Sequence, residues 1–148
     1  MRFANFRTIT YWTATAATAF VLASGGIAYL VGAEIPVRGM IELGYPPYFV
    51  GILGFWKLLG AAALLVPRAP RLKEWAYAGV AFDLTGAAFS HFSVGHAPAK
   101  VAMPLVLLMV AVVSWAFRPP SRRLGAGSRT LLIEKGGVAV SEGALIAS

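Results

Sequence analysis

The chain has no cysteine, which excludes disulfides, thiolate metal sites and dithiol redox chemistry together. Charge is scarce as well. Asp, Glu, Lys and Arg make up 13% of the 148 residues, against roughly 25% in soluble domains, which is too little polar surface to cover a water-exposed globule. Acidic side chains are fewer still, six against thirteen basic ones, for a net charge of +7. What fills the space is apolar: 58% of residues are hydrophobic and the mean hydropathy is +0.71. One compact helical unit in a membrane fits this length better than two soluble domains.

Four apolar runs are long enough to cross a bilayer, at about 11–31, 48–66, 75–94 and 101–117. Pro104 falls in the first turn of the last run, where a missing N–H is tolerated. Arg2 and Arg7 precede the first run, as in a signal peptide. That run is about twenty residues, whereas a signal h-region has about 7–15, so the first span is expected to remain in the protein. The predicted fold is all-α, a transmembrane four-helix bundle over 1–118, followed by a mobile tail over 119–148 of altered composition. Leu131–Val140 in that tail could pair as a hairpin around Lys135-Gly136-Gly137, but a lone hairpin is marginal in water.

Basic residues orient the spans. Arg2, Arg7, Arg68, Arg71, Lys73, Arg118, Arg122 and Arg123 flank one side, and only Arg38 and Lys100 flank the other. The positive-inside rule then places the N-terminus and the C-terminus in the cytoplasm. Trp12, Trp75 and Trp115 fall at that interface, and Tyr29, Tyr45 and Tyr48 at the opposite one, as aromatic anchors do. Topology and attraction to anionic lipid heads explain the positive charge, which is spread over loops and calls for no nucleic acid. The loop 33–47 carries Glu34, Arg38, Glu42 and Gly44-Tyr45-Pro46-Pro47, whose prolines forbid a continuous helix; it could form a lid. The Pro-bounded loop 67–74 forces the second and third spans to run antiparallel.

Lys57 and Asp83 are the exceptions inside the apolar runs. Each lies roughly 12–14 Å from the shared loop, so a helical hairpin brings a cation and an anion to the same level. A charge at mid-depth costs roughly 2.5–3.5 kcal/mol on insertion scales and is normally turned inward and given a partner. Gly54, Gly60 and Ala61 share the Lys57 face, and Gly79, Gly86 and Ala87 share the Asp83 face, so both sit on stripes of small residues that allow close helix approach. Ser24-Gly25-Gly26 could bring the first span to the same place.

Three readings of the pair stand open: a lock on helix register, the polar end of a ligand or quinone site, and part of a proton pathway in a small proton-coupled transporter. Ala87, Ser90 and His91 continue the Asp83 face toward the far interface. His91 could pass protons or hydrogen-bond a quinone carbonyl; Glu34 or Glu42 could fold over it. His96, beside Pro98, is poorly placed to share its face, so no metal or haem site is expected. No residue declares itself catalytic, which leaves enzymatic activity open.

Several segments together resemble the DoxX-like family of bacterial membrane proteins. They are Gly44-Tyr45-Pro46-Pro47-Tyr48-Phe49, Lys57-Leu58-Leu59-Gly60, Pro70-Arg71-Leu72-Lys73-Glu74-Trp75, Phe82-Asp83-Leu84-Thr85-Gly86-Ala87 and Ser90-His91. The likeness covers about 11–119 and leaves the tail unaccounted for. It implies a multi-pass protein of the bacterial inner membrane, with links to redox stress and quinone detoxification and with partner subunits of a membrane redox complex. Without cysteine or haem ligands, any redox role would need a quinone or such a partner. Two other four-span classes fit less well. Proteins like vitamin K epoxide reductase need a cysteine pair, and small multidrug transporters carry a carboxylate in a first span that here is uncharged.

Overall fold

The computed structural model describes residues 2–67, 69–119 and 122. Five helices follow in order: α1 (Arg2–Leu30), α2 (Glu34–Glu42), α3 (Pro47–Leu65), α4 (Pro70–Ser93) and α5 (Pro98–Ala116), with no strand among the described residues. The predicted tail lies outside the described residues apart from Pro119 and Arg122. α1, α3 and α5 are long and apolar enough to cross a membrane. α4 coincides with the predicted third span but is not among them: Asp83, Thr85, Ser90 and His91 dilute its hydropathy.

Local chemistry explains the helix ends. α3, α4 and α5 each start on a proline at the first helical position, where the N–H would be orphaned anyway and φ is already helical. Pro70 therefore begins a helix, and Arg71, Lys73 and Glu74 belong to the first turns of α4, where a loop was expected. At the opposite end of the molecule, α1, α2 and α4 close on Gly32, Gly44 and Gly95, with φ of 68°, 88° and 70°. In all three the paired bonds that end a helix on a left-handed glycine are present. At α4 these are Gly95 N–H to Phe92 C=O (3.0 Å) and His96 N–H to His91 C=O (3.1 Å).

The loop 33–47 also differs from expectation, because nine of its residues form α2. Pro36 is its third residue, still within the turn whose N–H groups have no helical acceptor, so it does not break the helix. Arg38 sits one turn from both Glu34 and Glu42, at 3.8 and 3.6 Å, on an exposed face. Glu42 is thus engaged along α2 with Arg38, and the expected fold of an acidic loop residue over His91 is not what the side chain does.

The four long helices touch in a cycle, α1 with α3, α3 with α4, α4 with α5 and α5 with α1, while α2 rests on α1 and α3. The tightest approach is between α1 and α3. A Cβ added to Gly26 would stand 2.8 Å from the Gly54 carbonyl oxygen, and one added to Gly54 would stand 3.0 Å from the Gly26 oxygen. Small residues are what permit this backbone contact. On α4 the small stripe is used differently, since Gly79 and Gly86 face open space.

The buried core draws Ala19 and Leu22 from α1, Ala61 and Leu64 from α3, Tyr77, Val80 and Leu84 from α4, and Ala111 from α5. Outside it, Phe20, Ile27, Phe55, Phe82, Phe89, Met103 and Met109 are all exposed. So broad an apolar perimeter is untenable in water and natural against acyl chains.

Candidate functional site

Lys57 on α3 and Asp83 on α4 face each other across the least tightly packed side of the cycle. Lys57 Nζ donates to Asp83 Oδ2 at 2.5 Å, and the two side chains are 16% and 17% exposed. The third backbone expected at this level is present, for a Cβ on Gly25 of α1 would stand 3.9 Å from Lys57 Cδ. The charge of Asp83 also reaches the Tyr29 phenol on α1.

Beside the pair, α3 and α4 diverge around a cavity of about 900 Å³, within the size range of small-molecule sites. Lys57 and Asp83 line it together with Gly60 and Gly79, and its other walls are apolar, with Phe49, Ile52, Leu59 and Leu72 among them. Trp56, Trp75 and Phe82, also lining residues, are 63%, 80% and 79% exposed. The cavity is therefore a lateral groove whose rim reaches the apolar perimeter. An ammonium has three donors, and Asp83 takes one, so Lys57 keeps hydrogens for an acceptor in the groove.

The remaining predicted residues lie elsewhere, near the end at which α4 stops and α5 begins. Ser90 pairs with the Tyr45 hydroxyl at 2.7 Å, tying the α2–α3 turn to α4. His91 does not meet Glu42. Its Nδ1 lies 2.8 Å from Nδ1 of His96, which corrects the expectation that the two histidines diverge: the left-handed Gly95 turns the chain back at the end of α4 and carries His96 over the last turn. Among the described residues no group of three or more His, Asp or Glu converges as a metal site.

Sequence reasoning missed a polar cluster at the other end, where α4 begins and α5 stops. Lys73 is fully buried and donates to the Ala63 carbonyl at 3.2 Å and to the Leu64 carbonyl, capping the last turn of α3 from the first turns of α4. Burial first, then the charges of Arg122 and Arg118, lower its pKa to about 8. Glu74 accepts from Arg118 at 2.8 Å and from Trp115 Nε1 at 3.0 Å. Burial acts to raise the Glu74 pKa, but these two hydrogen bonds and the Arg118 charge outweigh it and hold it low. Ser114 bridges Thr15 and Tyr77 at 2.7 Å each, and Arg122 covers Trp12 at 4.6 Å while donating to the Tyr11 hydroxyl. The only available signal was the recurrence of Thr, Tyr and Ser one turn inside the basic flanks.

Helices of spanning length, an apolar perimeter and a charge pair between two of them define an integral membrane protein. The sequence model of the DoxX-like family matches residues 13–114, and the chain belongs to that family. No curated protein and no solved structure matches it significantly.

Proposed function

We propose that this chain is a multi-pass protein of the bacterial inner membrane, built as a four-helix transmembrane bundle with both termini cytoplasmic. In this reading it takes up a quinone or a similar small lipophilic carbonyl compound, as an accessory component of a membrane redox system. The observation that carries the reading is the lateral groove between α3 and α4, with a single polar floor. An apolar ring could lie between Trp56 and Phe82 while a carbonyl oxygen accepts from Lys57. Asp83 orients the ammonium. The sidedness rests on the basic residues gathered at the end of α1, α4 and α5 that also holds Trp12, Trp75 and Trp115. The apolar perimeter offers contact area for partner subunits.

Titrating the purified protein with a soluble ubiquinone or menaquinone analogue tests this. At a hundredfold excess over Kd, binding to the folded state alone adds about 2.7 kcal/mol to stability, visible as a raised Tm. An unchanged Tm at every accessible concentration, with no competition between analogues, would contradict it. The direct 2.5 Å contact favours a second reading, in which the pair only locks α3 to α4 and the protein is a membrane scaffold.

A further inference from the structure

A second cavity, of about 450 Å³, lies between α4 and α5 at the end where α4 stops and α5 begins. Ala87, Met103, Pro104 and Leu107 supply its apolar wall, and His91 and Lys100 its polar groups. Pro104 has no N–H to return to the Lys100 carbonyl, so the ladder of α5 is interrupted at this wall. His91 is hydrogen-bonded to His96, and Lys100 lines the same cavity. Each carboxylate among the described residues is committed elsewhere: Glu34 and Glu42 to Arg38, Asp83 to Lys57, and Glu74 to Arg118. The cavity therefore combines an apolar wall with two cation-capable side chains, His91 and Lys100, a third, His96, bonded behind one of them, and no acidic partner among the described residues.

We propose that this cavity binds an amphiphile with a phosphate or carboxylate head, its chain along Ala87, Met103 and Leu107 and its head between Lys100 and the imidazole pair, with proton-linked affinity. Two Nδ1 atoms at 2.8 Å share one hydrogen, one ring donating and the other accepting. A proton added to the donating ring enters at Nε2 and leaves this bond in place; only when both rings are charged would N–H face N–H, and the pair must then separate. An anion between the rings and Lys100 favours that state. Proton uptake and anion binding then strengthen each other by linkage. The other groups around His91 are spoken for: Ser90 and Tyr45 bond each other, and Asp83, two turns back on α4, is held by Lys57 from α3. The site is separate from the α3/α4 groove, and its test does not depend on quinone binding.

The experiment uses the full chain in phosphatidylcholine nanodiscs with a small fraction of phosphatidylglycerol, counting retained phosphatidylglycerol by native mass spectrometry at pH 5.5 and 7.5. The charge of this lipid is constant over that range, so any change with pH belongs to the protein. One class of lipid should bind roughly fivefold more tightly at pH 5.5, the effect of about one added charge near a headgroup. Lys100→Gln, at an exposed position, should weaken it at both pH values. His91→Gln should remove the pH difference, with His96→Gln in the α4–α5 turn as a second variant should the first fail to insert. Arg71→Gln at the other end should leave this class unchanged. Equal affinity at the two pH values, indifference to Lys100→Gln, loss of the class in Arg71→Gln, or competition by inorganic phosphate as strong as by the lipid would each overturn the proposal.

Discussion

Asp83→Leu alone should destabilise the folded protein by about 3–5 kcal/mol, Lys57→Met alone by a similar amount, and the two together by much less than either. Removing one member strands the other's charge in a low-dielectric interior, and that penalty exceeds what the pair contributes when intact. The side chains touch and are both mostly buried, so the singles cannot be additive. Equilibrium unfolding in mixed micelles would give the cycle; damage in the double variant equal to the sum of the singles would show that the two charges are not partners. The double variant also separates the two functional readings. If it is stable but no longer responds to a quinone, the pair serves a ligand as well as packing. If it is stable and still responds, Lys57 is not the hydrogen-bond donor.

Lys73→Met should cost about 2–4 kcal/mol, for it leaves the Ala63 and Leu64 carbonyls without their donor at the buried end of α3, each worth roughly 1–3 kcal/mol. A pH signature accompanies the loss. Lys73 titrates near 8 in the folded chain against 10.5 in a free lysine. Below about pH 8 both states hold the proton and the burial penalty is fully present. Between there and about 10.5 the folded state has released it while the unfolded state has not, so stability rises with pH. Wild-type protein should therefore gain stability from pH 8 to 10, and Lys73→Met should lack this gain. The same slope in both would show that Lys73 is not the group responsible.

The helices and the charge pair were readable because hydropathy and charge act along the chain. The ends of the predicted spans fall within a few residues of the helix ends except at α1, which starts at Arg2; hydropathy marks the part that lies in lipid, and nothing before Gly32 breaks the helix. Lys57 and Asp83 could be matched because one short connection sets their relative depth. Three features were not readable. α2 was hidden because Pro46 and Pro47, which argue against a continuous helix over 33–47, stand beyond its end at Glu42. The His91–His96 contact depends on the left-handed Gly95, which reverses the chain within five residues. Lys73 reads as one more flanking cation, yet it is buried, because the α3 end it caps is brought to it only by tertiary packing. The width of the α3/α4 groove also leaves no trace in periodicity: Gly60 and Gly79 mark close approach in one context and an open wall in another, and only the packing of α1 against α3 through Gly26 and Gly54 decides which.

The most direct measurement is photolabelling of the membrane-embedded protein with an azido-quinone, with the attachment sites mapped by mass spectrometry. Label concentrated on the groove wall, at Trp56, Leu59, Phe82 or their immediate neighbours, and suppressed by excess unlabelled quinone and by Lys57→Met with Asp83→Leu, is the expected result. Label spread over the lipid-facing perimeter in proportion to exposure, unaffected by competitor or by the double substitution, would mean that the groove holds no quinone.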